Sequence, residues 1–215
     1  MRRITTAFII FTFAFTSNSV RAQSLHIGSS VIGLGFNAST YSFTSTNLCA
    51  TTTSSGSLPA FIITPSYSYA VLNKLTIDGS LGIPIYVGGT GLDIGLGVTY
   101  HIFFPAHNAN PFQALLLVKA GFTTIGMNNS GISDAGKFVS NGIFYTPGLG
   151  MRKYFFGNFG IFADITYAIY NYTGGQVQQS NSYKLPFTLT FSGLTYGGGI
   201  CLRLIETRQG NATTY

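Results

Sequence analysis

Apolar and polar residues alternate along eight stretches of this chain, each about a dozen residues long. In the last stretch, apolar side chains recur at most second positions from Leu194 to Leu204, and Thr195, Cys201 and Arg203 lie between them. Successive side chains of a strand point to opposite faces, so this pattern gives one apolar and one polar face. An apolar outer face with a polar interior is typical of a barrel that stands in a membrane.

The eight stretches predict strands separated by connectors of unequal length. If the N-terminus lies in the periplasm, the long connectors 38–59, 126–137 and 173–187 all fall outside, as in bacterial outer-membrane barrels. The predicted fold is all-β, an eight-stranded antiparallel up-and-down transmembrane β-barrel. Its strands are expected at 24–37, 60–72, 75–87, 91–104, 111–125, 138–153, 158–172 and 188–204.

The composition agrees with a membrane location. Charged residues make up 7% of the chain, whereas soluble domains average about 25%. Beyond the N-terminal segment, no run approaches the roughly 18 apolar residues that a spanning helix requires. Closed barrels are the other structure that satisfies every backbone group in lipid, so low charge without such a run favours a barrel.

The N-terminus predicts secretion. Two arginines precede an apolar stretch over residues 4–15, and Val20 and Ala22 occupy the −3 and −1 positions of a cleavage site. We therefore expect residues 1–22 to be a cleaved signal peptide and residues 23–215 to form the barrel domain. Cleavage takes three of the eleven basic residues and leaves eight against five acids. This small excess does not indicate a nucleic-acid partner.

Two kinds of residue test the predicted barrel. Pro65, Pro84 and Pro147 lie inside predicted strands, where proline cannot donate to the ladder, and we expect a β-bulge at Pro147. Cys49 and Cys201 are predicted at opposite ends of the barrel, too far apart for a disulfide.

The predicted registers turn most charges inward. Because buried charges are stabilised by pairing, we expect a lumen network in which Arg152, Asp164 and Arg203 form one ionic cluster. An eight-stranded wall encloses only enough room for side chains, so the interior is predicted to be plugged rather than open. The predicted network comprises His26, Asp78, Asp93, His101, Lys119, Arg152, Asp164 and Arg203, and bulky lining residues are Phe36, Phe103, Leu115, Leu117, Phe144 and Phe162.

No catalytic arrangement is evident. A lipid-modifying barrel enzyme would need a histidine beside a nucleophile near the outer rim, but His26, His101 and His107 are all predicted toward the periplasmic end. The sequence shows no metal-ligand cluster and no phosphate-binding loop, so neither a metal nor another cofactor is expected.

The signal segment, the eight strands and the run at 147–155 (PGLGMRKYF) resemble small eight-stranded outer-membrane β-barrel proteins of the OmpA/OmpX-like superfamily. The resemblance covers the mature chain. It implies a bacterial outer-membrane location, with membrane lipid and the barrel-insertion machinery as partners. That machinery reads a terminal aromatic residue, a role for which Tyr215 is the candidate.

Four functions remain open. The resemblance favours a non-enzymatic barrel with a structural or surface-interaction role through its exposed loops. A small passive pore and a lipid-modifying outer-membrane enzyme are alternatives. A soluble lipocalin-like barrel would also alternate, but low charge and Leu-, Ile- and Val-rich outer faces argue against it.

Overall fold

Eight antiparallel strands form a closed barrel in which each strand pairs with its neighbours in sequence, and β1 closes the ring against β8. The computed structural model describes residues 27–47, 52–103, 112–128, 137–155, 158–178 and 183–204. The strands are β1 (Ser30–Asn47), β2 (Thr52–Leu72), β3 (Leu75–Tyr86), β4 (Gly89–Phe103), β5 (Phe112–Asn128), β6 (Lys137–Phe155), β7 (Phe159–Gln178) and β8 (Tyr183–Leu204).

This architecture confirms the predicted all-β, up-and-down barrel. Within the described ranges, no helix is long and apolar enough to cross a membrane. The signal segment, Cys49 and Tyr215 lie outside the described residues. Cys201 carries a free thiol and is buried inside the wall.

The outer surface of the barrel is a belt of exposed apolar side chains. Leu96 is 71% exposed and Phe122 is 74% exposed, values that suit contact with acyl chains rather than water. Lys153 lies at the lower end of this belt, with its amine 5.3 Å from the centre of the Phe155 ring. The belt includes Ile77, Leu81, Ile83, Ile85, Leu92, Ile94, Val98, Leu116, Val118, Leu149, Ile165, Leu194, Ile200 and Leu202.

The predicted faces of β1 are reversed in the structure. Phe36, predicted to line the lumen, is exposed on the outside and stacks on Phe61 with ring centroids 6.3 Å apart. Gly33 and Gly35 face inward, close to the Phe162 ring. The prediction was wrong because it carried the alternation forward from His26, whereas the strand begins only at Ser30, after a turn at Ile27 and Gly28. His26 itself lies outside the described residues.

Each proline predicted inside a strand interrupts a ladder without changing its register. Pairing between β2 and β3 skips Pro65, pairing between β3 and β4 skips Pro84, and pairing between β6 and β7 skips Pro147. The bulge expected at Pro147 is therefore absent. Proline lacks the N–H that a ladder needs, and the wall accommodates this loss by omitting local pairs.

Two predicted outer loops are largely strand. Residues 38–59 and 173–187 were expected to be irregular, yet β1 pairs with β2 as far as Asn47 and Thr52, and β7 pairs with β8 as far as Val177 and Tyr183. Where their side chains are described, the outward residues of these segments, such as Ser42, Thr44, Ser55 and Ser57, are polar instead of apolar. The alternation that identifies a membrane strand is consequently missing there.

The lipid-facing belt can be tested with a neighbouring pair of substitutions on β5. Leu116 points outward and Leu117 points inward. We expect Leu116→Arg to cost about 2–4 kcal/mol and to impair assembly, because an arginine is costly on the lipid face of a barrel. Leu117→Gln should be milder. Heat-modifiable gel migration measures assembly, and equal damage from both changes would contradict these faces.

Candidate functional site: the barrel interior and the raised rim

The described charged residues of the predicted network all belong to the barrel interior. Asp78, Asp93 and His101 are buried, and Arg203 is 3% exposed. Lys119, Arg152 and Asp164 line an internal cavity between the strands. His26 is the one predicted member that lies outside the described residues. The sequence therefore predicted the inward orientation of these seven residues, whereas their functional role stays a prediction.

A hydrogen-bonded group occupies the lower, turn-bearing half of the barrel. The Thr76 hydroxyl donates to Asp78 at 3.0 Å, and the Thr99 hydroxyl donates to the other carboxylate oxygen. The Thr76 hydroxyl also lies 3.3 Å from His101 Nε2, and His101 Nδ1 lies 3.2 Å from Gln113 Oε1. Asp78 and His101 are thus linked through Thr76 rather than in direct contact. These buried groups hydrogen-bond to one another, except for the Gln113 amide nitrogen, for which the described residues provide no acceptor.

The two lumen arginines contact aromatic rings. The Arg203 guanidinium lies 4.0 Å from the centre of the Tyr154 ring, and Arg152 donates to the Tyr154 hydroxyl at 3.3 Å. Arg152 also lies 6.0 Å from the centre of the Phe162 ring. Each cation–π contact contributes about 0.5–2 kcal/mol, depending on how fully water is excluded.

Height divides the predicted ionic cluster. Arg152 and Asp164 line one cavity, whereas Arg203 lies beside Asn158 at the lower end of the wall. Asp164 lies opposite Gly150 and Gly197 and Arg152 lies opposite Phe162, two residues lower on β7, so a direct contact between Arg152 and Asp164 stays a prediction. Sequence alternation predicts the face of a residue but not its height relative to the next strand.

Asp164 instead lies at the boundary of two small cavities in the middle of the barrel. Their volumes are about 70 and 60 Å³, and Asn37, Thr64, Lys119 and Asp164 line both. Such polar chambers are large enough to hold a few water molecules. A Cβ atom at position 197 would collide with Asn37 Oδ1 and Asp164 Oδ1, so Gly197 is what allows these side chains to approach β8.

An aromatic layer that the sequence did not predict occupies the outer half of the lumen. We call Tyr41, Tyr170, Tyr172 and Phe191 the aromatic plug; all four are at most 3% exposed. Tyr41 meets Tyr170 edge to face at 5.5 Å between centroids, and Tyr172 meets Phe191 likewise at 5.6 Å. Tyr86 and Phe144 pack against this layer.

Asp93 is held within the same layer. Its carboxylate accepts a hydrogen bond from the Tyr170 hydroxyl at 3.1 Å and another from the Thr123 hydroxyl. Tyr172 reaches the same threonine, with 3.0 Å between the two hydroxyl oxygens. Tyr170 and Tyr172 lie an even number of residues from Asp164 on the same strand, so the sequence predicts that they share its inward face. Tyr41 fell in a predicted loop, so its place in the plug became evident only from the outer extension of β1.

The rim at the barrel end opposite the Asn73–Lys74 turn is uneven. We define the raised rim as residues 40–47 of β1, 52–59 of β2, 171–178 of β7 and 183–192 of β8. On the other side, β3 and β4 end at Tyr86 and Gly89, and Tyr86 lies opposite Ala60 of β2. We call the resulting space above residues 86–89 the rim notch. Exposed residues of the raised rim include Ser42, Thr44, Thr53, Ser54, Ser55, Gly56, Ser57, Thr173 and Thr188.

A second concave surface lies on the lipid side. This groove of about 690 Å³ runs across β4 to β8 beside Pro147, and its walls are almost entirely apolar. It lies within the exposed apolar belt, where acyl chains are the surrounding medium.

In the part of the chain that the structure describes, no group of three or more His, Cys, Asp or Glu residues is placed to hold a metal ion.

Comparison with solved structures identifies the architecture. The outer membrane protein OprG from Pseudomonas aeruginosa matches with a TM-score of 0.54 at 11% identity, over 86% of this chain and 100% of OprG. The outer membrane protein AlkL matches with a TM-score of 0.50 at 12% identity, over 89% of this chain and 97% of AlkL. The chain has the fold of a small outer-membrane β-barrel.

No protein-family profile matches the chain. No curated protein matches it in sequence either. The likeness to solved structures confirms the predicted outer-membrane barrel fold. The belt of exposed apolar side chains agrees with it, because such side chains suit a lipid surrounding. Both observations support the predicted bacterial outer-membrane location.

The hydrogen bond within the plug gives a stability prediction. Tyr170→Phe keeps the ring but removes the hydroxyl that donates to Asp93, so the free energy of unfolding should fall by about 1–3 kcal/mol. Urea unfolding of the barrel in lipid vesicles measures this loss. Tyr167→Phe is the matched control, because Tyr167 lies on the same strand and faces lipid. Equal losses from the two variants would show that Asp93 does not depend on Tyr170.

Proposed function

We propose that the protein is a non-enzymatic, closed outer-membrane barrel that presents its raised rim to a partner at the cell surface. The observation that carries this proposal is the combination of an aromatic plug inside the barrel with ladders that continue beyond the apolar belt. A barrel built only to span the membrane needs no strands above that belt.

The polarity of the rim supports this assignment. Outward residues of β2 change from Tyr67 and Phe61 in the belt to Ser57, Ser55 and Thr53 above it. The two-residue turn at Asn73 and Lys74 marks the opposite end, and short turns are periplasmic in barrels of this class. The raised rim accordingly projects outward from the cell.

The pore alternative is tested by conductance. The plug and the small cavity volumes support a lumen without a continuous water column, so purified wild-type protein in planar bilayers should give no steady single-channel steps. The double variant Tyr41→Ala/Tyr170→Ala removes two facing rings of the plug, and it should conduct if it assembles. Regular steps in the wild-type protein, with an ion selectivity that changes in Lys119 or Asp164 variants, would favour the pore instead.

The surface role is tested in cells. Replacing residues 43–56 by Asn-Gly joins Ser42 to Ser57, which already pair across β1 and β2, through a favoured two-residue hairpin turn. A deletion strain complemented with wild-type protein should bind one or more of a panel of purified extracellular proteins, and the shortened variant should lose that binding.

Heat-modifiable migration and surface labelling supply the control that both proteins assemble at equal abundance. Equal binding by the deletion strain and both complemented strains would contradict the surface role. Hydrolysis or acyl transfer on lipid A or phospholipid by the purified barrel would contradict its non-enzymatic character.

A further inference from the structure

The lipid-side groove lies where the β6–β7 ladder is interrupted. Pairing holds Tyr145 opposite Ile169 and Gly148 opposite Thr166, but it omits the two positions between them. Pro147 at this break has no N–H for the ladder, and its ring is shorter than the side chains around it. The lipid-facing walls of the resulting recess are Leu116, Val118, Leu149, Ile165, Tyr167 and Leu194.

The groove is large enough for a ligand but cannot by itself select one. Its volume of about 690 Å³ falls within the range of small-molecule sites, about 300–1,000 Å³. In a bilayer an apolar surface gains little from the hydrophobic effect, because acyl chains already surround it. The groove alone would therefore accept the chain of any lipid, and selection requires polar groups close to it.

A hydrogen-bonded group of polar side chains lies above the groove on the same side of the barrel. Asn171 donates through Nδ2 to the Tyr145 hydroxyl at 2.9 Å, and the Thr190 hydroxyl donates to Asn171 Oδ1 at 3.1 Å. We call these three residues the outer polar cluster. Asn171 and Thr190 each lie four residues beyond a groove-lining residue of their strand, which is about 13 Å along a strand.

The outer polar cluster faces away from the lumen. Asn171 lies between two residues of the aromatic plug, Tyr170 and Tyr172, and successive side chains of a strand point to opposite faces. Thr190 likewise lies between two buried residues of β8. Tyr145 is 39% exposed on the outer surface. A tyrosine at this height suits the membrane boundary, where its hydroxyl reaches the headgroup layer.

The cluster can form hydrogen bonds beyond its two internal ones. A primary amide has two N–H donors and an oxygen with two lone pairs, and a hydroxyl group has one donor and two lone pairs. The second N–H of Asn171 and the hydroxyl hydrogen of Tyr145 can therefore donate outward. Asn171 Oδ1 and the Thr190 hydroxyl oxygen can each accept again. Donors and acceptors are thus presented side by side.

The surroundings of the cluster are uncharged. No charged residue occurs in residues 139–147, 165–174 or 188–196. A phosphate group offers acceptors alone and is bound most strongly by arginine or lysine. A sugar carries hydroxyl groups that both donate and accept, and it needs no counter-charge. In the next row outward, Thr173 lies opposite Thr188 and both are exposed, so hydroxyl groups continue away from the membrane.

We propose that the groove and the outer polar cluster together bind one glycolipid of the outer leaflet. Its acyl chain lies in the groove, and its uncharged sugar bonds to Tyr145, Asn171 and Thr190. A lipid has its headgroup above its chains, and this site has its polar part above its apolar part on the same strands. The groove also belongs to the apolar belt that lipid already contacts. This inference goes beyond the proposed surface function, since it concerns the wall rather than a partner on the rim.

A single tryptophan can report which lipid occupies the groove, because the chain contains none. Tyr167→Trp places this reporter in the groove wall. Tyr67→Trp on β2, across β8 and β1, is the matched control, since the two tyrosines are 44% and 48% exposed to lipid. Each purified barrel is reconstituted in phosphatidylcholine vesicles that contain monoglucosyl diacylglycerol with brominated acyl chains. Bromine quenches tryptophan fluorescence on close approach.

The groove reporter should distinguish the two lipids and the control reporter should not. From quenching, the relative binding constant of brominated glycolipid at the groove should be about fivefold above that of brominated phosphatidylcholine, because two or more membrane hydrogen bonds form. At the control position the two lipids should quench equally. Equal quenching at the groove, or the same preference at both positions, would overturn the proposal. So would absence of quenching by either lipid at the groove, which is the result if a second barrel covers it.

Two further brominated lipids separate the contributions of chain, sugar and phosphate. Diacylglycerol has the same chains without the sugar, and phosphatidylglycerol carries hydroxyl groups on a charged phosphate. Both should quench the groove reporter no better than phosphatidylcholine does. If diacylglycerol equals the glycolipid, the site selects a chain, and if phosphatidylglycerol equals it, the site selects a phosphate. Either result would overturn the proposal.

Variants of the cluster place the selection on its hydrogen bonds. In the groove-reporter barrel, Asn171→Leu keeps the approximate size of the side chain and Thr190→Val keeps its shape, and both remove hydrogen-bonding groups. Asn171→Leu should bring the lipid preference to within about twofold of unity, and Thr190→Val should lower it by about half or more. Ser57→Ala removes an exposed hydroxyl of β2 and should leave the preference unchanged. Heat-modifiable migration confirms assembly, and if Asn171→Leu does not assemble, Thr190→Val decides. A full preference in the assembled cluster variants would overturn the proposal.

Discussion

Closure of the hydrogen-bond ladder is the constraint on which the rest of this structure depends. Inside a bilayer, water cannot satisfy a free N–H or carbonyl group, so each strand must be bonded on both sides. The pairing of β1 with β8 meets this requirement and fixes a narrow interior. Above the apolar belt water is available, and β2 extends beyond its last described pair with β3, Ala60 opposite Tyr86.

This difference explains why the sequence predicted the membrane part of the fold and missed its outer part. In β3, β4 and β5 one face meets lipid and the other meets the lumen, so alternation defines both the strand and its face. The described residues 42–46 and 53–57 carry Ser and Thr on their outer face, and Phe43 is a large apolar residue on the inner face. The apolar outer face that identifies a membrane strand is therefore missing there, although the backbone ladder continues.

The interior was predictable in composition but not in its contacts. Parity placed Asp78, Asp93 and Asp164 inside the barrel. Pairing partners depend on height as well as on face, and height follows from the registers of all eight strands together. Arg152 consequently contacts Tyr154 and Phe162, partners that parity alone did not predict. The wrong face of β1 had a more local cause, because the turn before Ser30 reset the alternation.

The position of the aromatic plug in the chain has a consequence for the order of folding. Tyr41 comes from the first strand, whereas Tyr170, Tyr172 and Phe191 come from the last two, so the contacts of Tyr41 with Tyr170 and Phe191 join residues more than 120 positions apart. Tyr41 meets the other rings only when β1 reaches β8, whereas Tyr172 and Phe191 already meet across the β7–β8 pair. Completion of the plug and sealing of the seam are thus one event, and an unclosed sheet lacks the contacts that Tyr41 adds. The contacts of Tyr41 with the plug therefore stabilise the closed barrel, which makes the final step of assembly cooperative.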